Sequence, residues 1–371
     1  MQHAPGDRLD VLLLLGANQL RGSYVRTQSL AERLPGRGIS LRVVSTEPPR
    51  FSKQTSKPLD IKTSRYLAWP VVSPLVRHFL AIDLKKRPPD LIDIQHRSMH
   101  PLGAWLARQI GCPYVVTVHD YLGEWERFVV DAQWCQRIIA VSESVRAELL
   151  EKTKLPDSLV TVIPSGVVCP PETELSPLLT AGRAPVIGTT GPLEAGKGLQ
   201  HFLRAAVRVL KARPDALFVI AGSGPEERSL RRLAIDLQIS HAVTILPNLL
   251  DFTPALRAMD IFVLPALKQG LGSTMLDAMA WGLPVIASDA GGVFSVVQDG
   301  VTGLLVPPSD DVVLAEKMRF LLDHPDKARE LGTNARRRIE ERFNISQMVD
   351  ATVALYREVS RPALTTTLPA P

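Results

Sequence analysis

Short, mainly apolar runs alternate with amphipathic helical stretches along almost the whole chain, and they do so in two series. The first series holds Val11–Leu15, Leu41–Ser45, Leu91–Ile94, Tyr114–Val118, Arg137–Val141 and Val160–Ile163, with helical stretches such as Tyr24–Leu34 and Pro101–Gln109 between them. The second restarts at Val186–Thr190 and continues through Leu217–Ala221, Val243–Leu246, Ile261–Leu264, Pro284–Ala287 and Leu304–Val306. Such runs are strands buried on both faces, and the helices between them supply the cover. Each series therefore predicts an α/β unit with a doubly wound parallel sheet. Leu199–Leu210 is one covering helix, with Leu199, Phe202, Leu203, Ala206 and Leu210 on a single face.

The stretch CPPETELSPLLTAGRAP, Cys169 to Pro185, separates the series and reads as an interdomain linker. A length of 371 residues suits two domains, expected over residues 1–178 and 179–345. A C-terminal helix over 346–362 is expected to complete the first, ahead of a frayed tail at 363–371. With 45% hydrophobic and 22% charged residues the chain is not a disordered one. Cys112, Cys135 and Cys169 lack metal-ligand spacing and suit buried thiols in a reducing compartment. Val11–Leu15 is shorter than a secretory core of about 7 to 15 residues or a span of about 20, so it reads as a first strand. A cytoplasmic protein is expected.

The net charge of +5 is concentrated: Arg50–Arg87 carries nine Lys or Arg against Asp60 and Asp83, interleaved with Tyr66, Leu67, Trp69, Phe79 and Leu80. That pattern fits either an anionic membrane surface or a solvated face. No zinc-finger, RNA-recognition or helix-turn-helix signature accompanies it, so nucleic acid is not an expected partner.

Three motifs follow predicted strands of the second series. In TGPLEAGKG, Thr190 to Gly198, Gly191, Gly196 and Gly198 let the backbone approach a ligand at a helix start, and Lys197 adds a charge suited to phosphate. In VIAGSGPEE, Gly222 and Gly224 follow a strand, but Glu227 stands where a dinucleotide fingerprint needs its third Gly, which argues against a nicotinamide dehydrogenase. In LKQGLGSTMLDAMAWGLPVIASDAGG, Gly270, Leu271 and Gly272 precede a helix over Ser273–Trp281, with Ser273 as its expected cap. Amides there can hold a diphosphate and hydroxyls, and Asp277 is placed for a ribose diol.

Together these motifs resemble the nucleotide-sugar domain of the family 4 retaining glycosyltransferases. The order is G-x-L-x-x-x-K-G, A-G-x-G-P, x-G-x-G-x-x-x-L-[acid]-A-M-A-x-G-x-P-V-[IV]-A, then GGVFSVVQDGVTGLLVP at Gly291–Pro307. VHD at Val118–Asp120, IIAVSESVRAELL at Ile138–Leu150 and TVIPSGV at Thr161–Val167 extend the similarity into the first half. The resemblance implies the GT-B architecture: two facing Rossmann-like domains with a cleft between them, donor on the second and acceptor mostly on the first. It implies transfer of a sugar from a nucleotide-diphosphate donor to an acceptor hydroxyl with retention, without metal or cofactor. By the same resemblance Lys197 neutralises the diphosphate, the amides of Gly270, Leu271 and Gly272 touch sugar hydroxyls, Asp277 takes the ribose, and His119 lines the sugar pocket.

The chain departs from the family at Gln269 and Asp277, where the family usually has Glu, and at Pro192, where it has Arg. A lost charge-assisted hydrogen bond costs about 1.5–3 kcal/mol. Arg21, beside Gly22 in the loop after the first strand, is the candidate replacement. Gln269 keeps an amide for a sugar hydroxyl and is taken with His119 as the catalytic pair. The basic segment suggests a saccharide or lipid-linked acceptor of the cell envelope, met at the inner face of the plasma membrane. The rivals are a homologue that binds a nucleotide sugar or a partner enzyme without transfer, and a nucleotide-sugar 2-epimerase.

Overall fold

The computed structural model describes residues 8–16, 21–48, 59–68, 73–123, 126–246 and 252–360. The chain divides into one unit drawn from Met1–Pro164 and Ser346–Pro371 and another from Ser165–Ile345. The first is built on strands β1 (Leu9–Leu15), β2 (Ile39–Ser45), β3 (Asp60–Thr63), β4 (Leu91–Ile94), β5 (Tyr114–Val118), β6 (Cys135–Ala140) and β7 (Val160–Val162). They form one sheet in the order β3-β2-β1-β4-β5-β6-β7, parallel throughout. The second contains β8 (Val186–Thr190), β9 (Leu217–Ala221), β10 (Val243–Leu246), β11 (Ile261–Leu264), β12 (Val285–Ser288) and β13 (Leu304–Val306). Its order is β10-β9-β8-β11-β12-β13, again parallel.

In each sheet the strand order reverses beside the first strand, between β1 and β4 and between β8 and β11. Loops leaving the carboxyl ends of strands at such a reversal diverge to opposite faces and open a crevice, where ligands of doubly wound folds bind. The apolar runs explain the strands between: Val11 through Leu15, Tyr114 through Val116 and Ile261 through Val263 are all fully buried. The helix Leu199–Ala212 buries Leu199, Phe202, Leu203 and Ala206 as its periodicity predicts.

β3 has no counterpart among the predicted strands. All four of its residues are exposed, so it carries no apolar run, and it exists because its backbone completes the sheet edge against β2. Lys62 of β3 pairs with Asp83 on the helix Ser73–Lys86. That helix also lies in the basic segment. Pro74 stands in its first turn, where a missing N–H removes no helical hydrogen bond. Of the remaining segment, residues 50–58 and 69–72, including Arg50, Lys53, Lys57 and Trp69, lie outside the described residues. So do residues 361–371, where the tail was expected. Among the described residues no helix is long and apolar enough to cross a membrane.

Cys169–Pro185, expected as a linker, is part of the second unit. Asp260, fully buried just before β11, holds it there. Its carboxylate accepts from the amides of Leu179 at 2.7 Å and Val186 at 2.8 Å, and it pairs with Arg183. The helix Ile345–Ser360 brings the chain back to the first sheet, where the Tyr356 hydroxyl donates to Asp93 of β4. Ion pairs Arg37–Asp350 at 2.8 Å and Arg137–Glu358 at 2.6 Å flank that contact. Cys112 and Cys135 are buried free thiols pushed up to about 12 by desolvation, whereas Cys169 is half-buried. Asp260→Ala leaves two amides without their acceptor and is expected to destabilise the second unit by about 2–4 kcal/mol. Urea unfolding of the full-length variant measures it.

Candidate active site

At the carboxyl edge of the second sheet the loops after β8, β9 and β11 are sewn together through their backbones. Gly191 donates to the Ala221 carbonyl and Leu193 to that of Ser223, both at 2.9 Å, and Glu226 to that of Leu193 at 3.0 Å. Leu267 donates to the Gly196 carbonyl at 3.0 Å, and Gly292 to that of Gln269 at 2.9 Å. Two glycines make this possible. A Cβ on Gly198 would stand 1.9 Å from the Pro265 oxygen, at a φ of +64°, and one on Gly222 would stand 1.8 Å from the Gly191 oxygen. Room for a neighbouring loop, rather than for a ligand, is what these positions require. A Cβ on Gly224 would stand 2.3 Å from the Leu193 oxygen in the same layer.

On this platform Lys197 and Gln269 meet. The Lys197 ammonium donates to Gln269 Oε1 at 3.1 Å, which holds the cation beside the β11 loop. From Gln269 the chain runs through Gly270, Leu271 and Gly272 into the helix Ser273–Ala280. Gly272, at a φ of +88°, is the cap, and its carbonyl accepts from Met275 at 2.9 Å and Leu276 at 3.0 Å. Ser273 is therefore the first helical residue and not the cap expected from its side chain. Asp277 is half-buried and lies about 6 Å further along the helix axis than Ser273. The Thr190 hydroxyl, at the end of β8, is buried without a partner. The second unit thus gathers Gly191, Lys197, Gly222, Gly224, Gln269 and Gly270–Ser273 at one edge.

In the first unit His119 follows β5. Its Nε2 bonds the Gln95 carbonyl at 3.1 Å, and a carbonyl only accepts, so Nε2 carries the proton. Desolvation first, then the charge of Arg26 and the neighbouring His96, push the imidazole down to about 3. It is neutral at physiological pH, with Nδ1 holding the lone pair. Arg21 and Gly22 open the helix Arg21–Arg33, and their side chains lie outside the described residues.

Sequence reasoning missed what lies beneath His119. Gln95 is buried, donating from Nε2 to Asp93 Oδ2 at 2.6 Å and to Thr117 Oγ1 at 3.5 Å, and accepting from Thr27 at 3.2 Å. Arg26, fully buried, donates to the carbonyls of Ile163 at 3.1 Å and Pro164 at 3.3 Å. Burial pushes Arg26 down to about 10 and Asp93 up to about 6, and each charge partly offsets the other's shift. The signal was present in LIDIQ: an acid inside a continuous apolar run on a buried strand needs buried partners.

A pair of Rossmann-like units, each with its loops at the carboxyl edge of a parallel sheet, is the architecture of the GT-B glycosyltransferases. The model for glycosyl transferases group 1 matches residues 172–338, and that for glycosyltransferase family 4 matches 21–169. The α-maltose-1-phosphate synthase of Mycolicibacterium smegmatis is 31% identical over 71% of this chain and 72% of its own. A GDP-mannose-dependent monoacylated α-(1-6)-phosphatidylinositol monomannoside mannosyltransferase of Corynebacterium glutamicum is 30% identical over 81% and 85%. The Anabaena protein HepE, solved with UDP and glucose, shares the fold with a TM-score of 0.81 at 18% identity, over 95% of this chain and all of that one. The chain belongs to glycosyltransferase family 4.

The Asp93 shift has a measurable consequence. A carboxyl at about 6 in the fold and 3.8 otherwise takes up a proton on folding between those values. Its contribution is full below 3.8 and is lost as pH rises through 6. Asp93→Asn removes that loss, so the stability gap between parent and variant should narrow by about 2–3 kcal/mol from pH 4 to pH 7. Urea midpoints across that range measure it, and a gap that widens would contradict a raised Asp93.

Proposed function

We propose that this glycosyltransferase moves a sugar from a nucleotide-diphosphate donor to an acceptor hydroxyl with retention of configuration and without a metal ion. The observation that carries the reading is the Lys197–Gln269 contact at 3.1 Å on a platform of interlocked glycine loops. Lys197 is held ready for the diphosphate, and the helix opening at Gly272 adds the positive end of its dipole. With its carbonyl oxygen engaged by Lys197, Gln269 turns its amide group to donate to a sugar hydroxyl. Gly270, Leu271 and Gly272 offer backbone amides beside it, and Asp277 takes the ribose. His119, neutral, lines the sugar pocket as the family likeness implies. The ordered Lys197–Gln269 pair favours a working site over a homologue without transfer. The UDP and glucose bound by HepE support a nucleotide sugar as donor.

Lys197→Ala is expected to weaken nucleoside diphosphate binding at least about tenfold, near 1.4 kcal/mol. Calorimetry measures this, with unchanged affinity placing the site elsewhere. Transfer assayed over a panel of nucleotide sugars, with the product anomer read by NMR and EDTA added, tests the rest. An inverted anomer or loss of activity with EDTA would sink the corresponding part of the reading.

The acceptor reading extends to a lipid-linked or envelope saccharide met at the inner face of the plasma membrane. On the helix Ser73–Lys86, Leu75, Phe79 and Ile82 are 63%, 68% and 43% exposed at a spacing that places them on one face. Lys85 and Lys86 end the helix, Arg87 follows it, and Arg65 lies 5.4 Å from the Tyr66 ring centroid. An apolar ridge beside cations matches the surface of an anionic bilayer, where each basic residue contributes about 1 kcal/mol before screening. The phosphatidylinositol mannoside handled by the Corynebacterium relative agrees with such an acceptor. The protein should sediment with anionic vesicles at low salt and not with neutral ones, and lose binding at high salt. Leu75→Ser with Phe79→Ser should lower that binding about tenfold. Equal absence from both pellets would remove the membrane from the reading.

A further inference from the structure

We propose that Gln95 is a positioning residue for His119, locked in place by Asp93 and, through Asp93, by Tyr356 of the C-terminal helix. The inference rests on His119 lining the sugar pocket and adds to it the group that sets the ring. His119 has its Nε2 proton committed to the Gln95 carbonyl at 3.1 Å, so that peptide fixes both the tautomer and the plane of the imidazole. A tilt of the peptide at residue 95 turns the ring or releases its proton.

Residue 95 is held from both sides. Its own N–H, in the peptide before the one that bonds His119, donates to the Leu14 carbonyl at 3.1 Å, which ties it to the end of β1. Its side chain is buried and satisfied by Asp93, Thr117 and Thr27, so neither rotation nor slippage is open to it. The strongest of these bonds, at 2.6 Å, ends on Asp93 Oδ2. The same oxygen accepts the hydroxyl of Tyr356, which is fully buried on the helix Ile345–Ser360. One carboxylate oxygen therefore joins the last helix to the peptide that orients His119.

Packing alone does not call for this arrangement. A buried carboxylate beside a buried guanidinium is commonly no more stabilising than apolar residues of the same volume, whereas it specifies one geometry. Asp93 and Arg26 sit directly under a functional loop, and the geometry they specify is that of Gln95.

The test uses full-length protein labelled with 15N histidine. The parent should show His119 as a single Nε2–H tautomer from pH 5 to 8. Tyr356→Phe keeps the ring and removes only the hydroxyl. It should bring a second His119 tautomer into view and lower kcat at least fivefold, with donor KM and nucleoside diphosphate affinity unchanged within twofold. Gln95→Met removes three side-chain bonds and should do the same more strongly; if it does not fold, Tyr356→Phe decides. Unchanged His119 signals in Tyr356→Phe overturn the proposal whatever happens to kcat. A variant that only melts earlier, with the tautomer and the kcat-to-KM division intact, also overturns it. Should the parent transfer no sugar at all, the proposed function falls and the tautomer readout still decides the positioning.

Discussion

The arrangement of the second unit depends on how closely its loops approach one another. With 1.9 Å between the Pro265 oxygen and the place of a Gly198 Cβ, any side chain at residue 198 would force the β8 and β11 loops apart. Because nothing stands between them, Leu267 of one loop donates to the Gly196 carbonyl of the other and the two behave as one layer. Lys197 and Gln269, 72 residues apart in sequence, are then neighbours by construction. A cation held in place before a ligand arrives loses little freedom on binding, so on the proposed reading more of its interaction with a diphosphate appears as affinity.

The first unit solves a different problem. Its edge is organised from below by charge, with Arg26 and Asp93 both removed from water. Each charge offsets part of the other's burial cost, and neutral partners take one end of each group: carbonyls for Nη1 of the guanidinium, a phenol and an amide for Oδ2 of the carboxylate, while Arg26 Nε and Nη2 and Asp93 Oδ1 are buried without a hydrogen-bond partner. The same desolvation that disturbs these two keeps His119 uncharged. One physical cause therefore leads the titration shift of all three groups.

Much of this was legible in the chain. The strands over Leu91–Ile94, Tyr114–Val118, Val186–Thr190, Leu217–Ala221, Val243–Leu246, Ile261–Leu264 and Leu304–Val306 run where the apolar runs place them, because burying those apolar side chains is what the sheet interior does. β3 escaped notice because an exposed edge strand is specified by its neighbour's unpaired backbone, which no local pattern records. Cys169–Pro185 read as a linker since its composition has no period, yet the residue that fixes it is Asp260, distant in sequence. Lys197 and Gln269 were found one at a time through their glycine settings, while their contact is a property of the fold. The cluster of Arg26, Asp93, Gln95 and Tyr356 stayed hidden for the same reason: its members come from three distant places, the helix Arg21–Arg33, β4 with the residue after it, and the helix Ile345–Ser360.

The contact between Asp93 and Tyr356 also sets an order of assembly. Asp93 is made early and its partner late, with the whole of Ser165–Ile345 emerging from the ribosome between them. At roughly 5–20 residues per second, the 263 residues from Asp93 to Tyr356 take on the order of 10–50 s. The second unit has all its residues before the first receives its last helix. Until then the nascent first sheet carries a carboxylate that lacks its phenol, at the site that later orients His119. The part of the chain synthesised first is in this sense the part completed last.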